Sequence, residues 1–309
     1  MKATIADIIR KNGRFEIITH AWPDADAIGS AYALYMALHV MNKEVRFICP
    51  TPIPEHLLLT PAPEENLFSA PEISLLVDVS DMGMIGDIRP EGMVVVIDHH
   101  KTNQGFGFVS WVCPNKSSAS EMVYELLIEL DIEITSPIAT NIYMGIFGDT
   151  GGFVHTNTTA RVFEIANRLT LKGADPSHVA NQLRKNKSTT YYKILCLAME
   201  RIRICDSICA SYITLDDLDK LRAGPNDASG IIEDLSSLAG VELSIFLRDV
   251  NTHQVHCSIR SRDGISARLT AQAFGGGGHD RAAGFTLEGR AEGLVGDVIK
   301  EGLKWVRMG

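Results

Sequence analysis

The sequence predicts an α/β fold: a mostly parallel sheet flanked by helices, followed by a smaller α/β C-terminal domain across a cleft. Three observations lead there. Through the first half, short β-branched runs alternate with longer stretches of helical spacing, the pattern of strands joined by crossover helices. Several of these runs end in His or Asp rather than in ordinary turn residues. Beyond about residue 200 the texture shifts to strands of antiparallel type.

FEIIT (15–19), VRFICP (45–50), ISLLVDVS (73–80) and MVVVIDHH (93–100) are the expected strands, each bounded by Gly, Pro or charge. Helical spacing runs over 27–41, 118–130, 137–147, 159–172 and 176–186. The Pro-rich CPTPIPEHLLLTPAPEEN (49–66) reads as an irregular connection. LRKNKSTTYYKILCLAMERIRI (183–204) is polar and then helical, a linker with a connecting helix. The expected division is therefore 1–186, 187–204 and 205–309. In the last part SICASYITL (207–215), VELSIFLRD (241–249) and QVHCSIRSR (254–262) are expected as antiparallel strands, with helices over 265–273 and 291–306.

At 309 residues and 45% hydrophobic content the chain is an ordinary globular protein with room for a real core. Its formal charge of -9 argues against a generic grip on long nucleic acid, and no long-DNA module is legible. The six cysteines form no CxxC pair, so zinc thiolate chemistry and a disulfide framework are not expected. The amphipathic opening lacks the apolar stretch of a signal peptide, and no run approaches the length of a membrane span. The expected compartment is the cytoplasm.

HAWPDADAIGS (20–30) crowds His20, Asp24 and Asp26 between a strand and a helix. The plainer reading is that the two acids cap the helix. Asp78 ends LLVD, Asp98, His99 and His100 end VVVIDHH, and Asp149 ends NIYMGIFGD. Each has a plain reading alone, as a cap or a satisfied core histidine. Together they bring His and Asp to the carboxyl edge of one sheet, where ligands of open α/β sheets bind. Carboxylates and imidazoles without thiolate suit Mn²⁺, Mg²⁺ or Fe²⁺. Two such ions would balance four carboxylates and activate water for displacement at phosphorus.

HAWPDADAIGS, LLVDVSD, VVIDHH and IFGDTGG, in that order, resemble the four motifs of the DHH phosphoesterase superfamily. FGGGGHDRAAGF (274–285) is similar to the glycine-rich signature of the DHH-associated second domain. Length and layout resemble the RecJ-like nano-RNase and pAp-phosphatase group, which includes cyclic di-AMP and linear dinucleotide phosphodiesterases. The resemblance implies two divalent ions, Mn²⁺ first among them. It gives His20, Asp24 and Asp78 to one ion and Asp26, Asp78, His99 and Asp149 to the other. His100 matches a group that contacts the reacting phosphate, and Asp98 one that orients a ligand histidine or serves a purely structural hydrogen bond. Three positions depart from the family: Ala25 stands for Gly, Trp22 for Asn and Gly152 for Arg. Trp22 would narrow the cleft or offer a stacking face.

For the second domain the resemblance implies that Gly276, Gly277, Gly278 and His279 hold the far end of a nucleotide. Arg260 and Arg262 are taken to point to opposite faces of their strand, so that one of them clamps a terminal phosphate. Ser117, Ser118 and Ser120 either approach a phosphate or cap a helix, and Ser118 is the candidate contact. The implied substrate is short RNA or a small nucleotide, and a homodimer is compatible with the group. Pyrophosphatase or exopolyphosphatase activity, and a non-catalytic cyclic-dinucleotide receptor, remain as alternatives.

Overall fold

The computed structural model describes every residue except 64–67, 69, 185, 186, 263, 279 and 307–309. The described chain divides into two compact units, Met1–Asn186 and Lys187–Gly309. No described helix is long and apolar enough to cross a membrane.

The first unit runs α1 (Lys2–Lys11), β1 (Arg14–Ile18), α2 (Ala25–Val40), β2 (Glu44–Ile48), β3 (Ile73–Val77), β4 (Met93–Asp98) and β5 (Val109–Val112). It closes with α3 (Ala119–Glu129), α4 (Ser136–Asp149), α5 (Ala160–Leu171) and α6 (Pro176–Arg184). The five strands lie in the order β2-β1-β3-β4-β5, every pair parallel. Strand residues alternate between two layers. Phe15 and Ile17 of β1 join the core under the helices, whereas Ile18 joins Leu76, Val79, Ile85 and Val96 on the other face. Strand β5 is not among the expected strands. It is a four-residue edge strand, VSWV, with only Trp111 buried, too short and too polar at Ser110 to stand out by pattern.

Helix α2 is buried on nearly every side because it lies in the middle of the helical layer. It packs on α4 without spacing side chains between the backbones. A Cβ at Gly29 would collide with Asn141 O, one at Gly148 would stand 2.6 Å from the Ala25 Cβ, and one at Gly145 would stand 2.8 Å from Asp26 Oδ1 of α2 besides colliding with Ser120 of α3. The pairing of 25 with 148 and of 29 with 141 and 145 makes the two helices antiparallel. The C-terminal end of α4 thereby arrives beside the first turn of α2.

The second unit contains α7 (Thr189–Glu200), β6 (Arg203–Cys205), β7 (Ile208–Ile213), α8 (Leu215–Leu221), α9 (Ile231–Ser236), β8 (Leu243–Asp249) and β9 (Gln254–Ser261). It ends with α10 (Ala267–Gln272), β10 (Gly277–Gly278), β11 (Ala282–Glu288) and α11 (Ala291–Val306). The helix expected as a connector is built into this unit: Tyr191, Ile194 and Ala198 of α7 are buried with Cys209, Ile213 and Phe246. The sheet order is β10-β11-β9-β8-β7-β6. It is mixed, not antiparallel throughout, because β7 and β8 pair in parallel. The chain between them crosses over through α8 and α9, which parallel pairing requires.

Candidate metal centre

Strands β1, β3 and β4 are neighbours in the sheet, and their carboxyl ends deliver His20, Asp78 and the Asp98–His100 run to one edge. His20 is oriented from behind: its Nδ1 stands 2.8 Å from Ala21 O, which leaves Nε2 as the forward nitrogen, 3.6 Å from Asp78 Oδ2. The Asp24 carboxylate caps α2, accepting from the Asp26 and Ala27 amides at 2.9 and 3.0 Å. Capping and site membership are not exclusive: Asp24, His20 and Asp78 offer donor atoms that all lie within 4.8 Å of one another.

Asp26 is buried on the first turn of α2, and its two oxygens accept from Ala119 N (2.6 Å) and Ser120 N (2.9 Å). The amide-rich start of α3 is thus turned onto an acid of the cluster. Asp149, the last residue of α4, is brought alongside by the glycine contacts between the two helices. Asp26, His99 and Asp149 form a second group of donors within 4.8 Å, and Asp78, His99 and His100 a third. His99 Nε2 lies 3.3 Å from Asp149 Oδ2, 3.7 Å from Asp78 Oδ1 and 3.9 Å from Asp26 Oδ2. Asp78 is common to two groups. It is 2% exposed and has φ 60°, a left-handed conformation that costs a non-glycine residue about 1–2 kcal/mol. Its Oδ1 is buried and accepts no hydrogen bond.

The electrostatics fit a cation site. Burial, then the charges of Asp78 and Asp24, push the Asp26 carboxyl well above its ordinary range. Burial and then Asp26, Asp24 and Asp78 do the same to Asp149. Asp78 moves the other way: burial opposes its ionisation, but the His20 hydrogen bond and the three imidazole charges outweigh it and hold the carboxyl low. Burial works against protonating His20 too, yet its hydrogen bond to Asp78 and the charges of Asp24 and Asp78 push it up to about 9. An orphaned buried oxygen and carboxylates that burial forces to hold protons are what a bound divalent ion relieves. Carboxylates and imidazoles without a cysteine make up the three donor groups, which fits a hard or intermediate ion.

His100, a member of the third group, also pairs with Asp98: its Nδ1 lies 2.7 Å from Asp98 Oδ1 and 3.5 Å from Asp78 Oδ1. Asp98 therefore orients His100 rather than its neighbour His99, because residues two apart on an extended segment share a side. Its second oxygen accepts from Asn103 Nδ2 at 2.7 Å, and Asn103 also reaches Val79 O at 3.1 Å. Sequence reasoning misses Asn103, whose role rests on a turn closed by Gly105 N donating to Asn103 Oδ1. It also misses Asn157, which ties Asp149 O (3.2 Å) to Ser117 O (2.9 Å). Burial opposes protonation of His100, but the Asp98 hydrogen bond and the charges of Asp78, Asp98 and Asp26 push it up to about 9.

Ser118 is not a phosphate contact. It is 0% exposed, and its Oγ caps α3 by accepting from Glu121 N at 3.0 Å. The neighbouring amides are already spent on Asp26. In the second unit Gly277 and Gly278 form β10, paired antiparallel with β11. Gly276 is required by packing, since a Cβ there would lie 2.3 Å from Gly284 O. Gly277 meets nothing within 4 Å. His279 lies outside the described residues. Arg260 donates to Glu233 Oε1 at 2.8 Å and Arg262 to Leu238 O at 3.0 Å. Both reach the segment of α9 and the turn after it, because strand residues two apart point to the same face. The expectation of opposite faces is wrong.

Residues 14–146 match the DHH family, N-terminal domain, and residues 206–307 the DHHA1 domain. A Thermus thermophilus protein named bifunctional oligoribonuclease and PAP phosphatase NrnA is 31% identical over 92% of this chain and 88% of its own. A Bacillus subtilis protein of the same name is 30% identical over 87% of each. Among solved structures, an exopolyphosphatase-related protein from Bacteroides fragilis superposes with a TM-score of 0.89 at 24% identity, covering 98% of this chain and 95% of its own.

Proposed function

Because this chain belongs to the DHH family, we propose that it is a metal-dependent phosphoesterase that hydrolyses short oligoribonucleotides, linear dinucleotides, cyclic di-AMP or pAp to mononucleotides. The observation that carries this reading is the convergence of His20, Asp24, Asp26, Asp78, His99 and Asp149 into overlapping donor groups. The two NrnA relatives, matched over most of their length, supply the substrate class.

In this reading His20, Asp24 and Asp78 hold one divalent ion, and Asp26, Asp78, His99 and Asp149 hold the other. The donor set suits Mn²⁺, Mg²⁺ or Fe²⁺, and Mn²⁺ is the first candidate by resemblance to the family. When bound, such ions polarise a phosphoryl group and activate water. The chain's own residues do the rest. Asp78, set in its left-handed backbone and donating its amide to Ile97 O at 3.0 Å, would serve both ions. His100, held at Nδ1 by Asp98, carries a proton that can pass from its other nitrogen to the departing oxygen. Asn103 and Asp98 fix the imidazole so that it needs no reorientation during the step.

The test is product release from pAp, pApA, pGpG, a five-nucleotide RNA, cyclic di-AMP and pyrophosphate with Mn²⁺, using Asp78→Asn as control. Mononucleotide from the linear substrates, abolished in the variant, is the expected result. Hydrolysis of pyrophosphate alone would replace this reading with a pyrophosphatase. Binding of cyclic di-AMP without any turnover would replace it with a receptor.

A further inference from the structure

Trp22 combines three properties that no other described residue shares. It is 71% exposed, it has φ 56°, and it stands between two members of the acid cluster, His20 and Asp24. Among the described large apolar side chains left in solvent, it alone has a left-handed backbone. The segment around it is fastened on both sides. Ala21 N donates to Met84 O at 2.8 Å, Trp22 N donates to Thr51 Oγ1 at 2.7 Å, and Asp24 caps α2. These bonds hold the main chain and leave the indole in solvent.

A bulky side chain in this conformation is strained, and burial of the ring does not offset the strain. Folding alone would favour Gly or Asn there. What the conformation achieves is display: a flat, apolar ring on a fixed backbone, within two residues, at most ~7 Å of chain, of His20 on one side and Asp24 on the other. Every nucleobase has a π-face, and exposed aromatic rings on a fixed backbone are the common platform for unstacked bases.

We propose that Trp22 is a base-stacking platform that receives the nucleobase of the nucleotide whose phosphate lies at the acid cluster. The inference rests on the phosphoesterase reading and narrows it: substrates with a base are selected over base-free phosphates, with little discrimination among bases. Stacking of this kind changes affinity by roughly 1–3 kcal/mol per base, about 5- to 150-fold.

The experiment compares wild type, Trp22→Ala, Trp22→Phe and Trp22→Gly in two assays. In the first, KM and kcat are measured on pApA and on its counterpart lacking both bases. Trp22→Ala and Trp22→Gly should raise KM for pApA at least 5-fold with kcat within about 3-fold. Trp22→Phe should keep most of the affinity, and the base-free compound should not distinguish the variants. Trp22→Gly should also keep or raise the thermal midpoint, which separates a loss of stacking from a loss of structure. In the second assay, intrinsic fluorescence is followed as AMP or ribose 5-phosphate is added with Mn²⁺. AMP should quench wild type and not Trp22→Phe, and ribose 5-phosphate should quench neither.

Unchanged KM and no quenching, in a protein that hydrolyses pApA, would overturn the platform and leave the phosphoesterase standing. Equal loss on pApA and the base-free compound would overturn it too, by making Trp22 structural. If no nucleotide is hydrolysed and AMP does not quench, both readings fall. Quenching by AMP without hydrolysis supports the platform and sinks the enzyme.

Discussion

At the strand ends of the first unit, carboxylates face one another and three imidazoles in a buried cluster, and Asp78 Oδ1 has no hydrogen-bond partner. On the β9–α10 surface of the second unit, charges are answered by neighbours. Arg260 has Glu233, Arg268 has Asp280 at 3.1 Å, and elsewhere in the unit Arg201 is clasped bidentately by Asp217 of α8. Both regions are charged, and both carry the motifs that mark the family. The first crowds more carboxylates than its imidazoles relieve, since Asp26 and Asp149 are still pushed well above the ordinary carboxylate range. The second is balanced within itself, so an incoming anion has to compete for its arginines. A charged motif therefore signals a ligand most strongly where its partners do not close on one another.

The largest effect that bears on this contrast is at Asp78. Asp78→Asn should lower turnover by about 10³-fold or more, since it removes the carboxylate common to two donor groups. Isothermal titration should then register weaker Mn²⁺ binding by a chain that still melts cooperatively. Retained turnover would mean that the unpaired oxygen is not a ligand.

The second unit has its own electrostatic weak point. Burial, then the charge of Arg248, push the His256 imidazole down from 6.5 to about 4. Arg248 lies directly across from it on β8. Between those pH values the unfolded chain binds a proton that the folded chain refuses, so stability rises with pH. The cost begins as pH falls through about 6.5 and levels off near 4, reaching at most about 3 kcal/mol. Chemical denaturation of wild type and His256→Leu at pH 7 and pH 4.5 should reveal a pH dependence that the variant loses in part.

Metal should act on the first unit alone. Mn²⁺ at a hundred times its dissociation constant stabilises what it binds by about 2.7 kcal/mol. Hydrogen exchange should slow around 20–26, 78, 99 and 149 and stay the same in residues 205–306, and EDTA should reverse it. Slowed exchange in both units would erase the distinction. Next in size, Asp98→Asn should cut kcat about 10- to 100-fold, the usual penalty for removing a group that orients an active histidine, while Mn²⁺ affinity holds. The smallest effect is at Glu233. Glu233→Ala removes an exposed ion pair worth about 0–1 kcal/mol and frees Arg260. If Arg260 meets a phosphate of the substrate, KM falls slightly; an unchanged KM assigns the arginine to α9 alone.

The cluster was legible because each apolar run terminates in its own chemistry: strand pattern and site motif are the same residues at 73–78 and 93–100. What escaped was set by contacts between distant segments. The start of α3 reads as a phosphate cradle until Asp26, more than ninety residues earlier, is seen to fill it. Parallel pairing of β7 with β8 depends on where α8 and α9 carry the chain, which no strand periodicity encodes. Asn103 offers no motif at all, since its value lies in the geometry of one turn. Arg260 and Arg262 show a different failure, in which the period of the strand was misapplied to residues two apart.

The contact of α2 with α4 sets a tolerance. Gly29 and Gly148 act as a shim of zero thickness between two rigid rods, one of which ends in Asp149 while the other carries Asp26 in its first turn. A single methyl at Gly29 or Gly148 would thicken the joint and move Asp26 and Asp149 apart. If the donor groups hold divalent ions, substitution at those glycines should change the preference between a smaller and a larger cation without touching a donor.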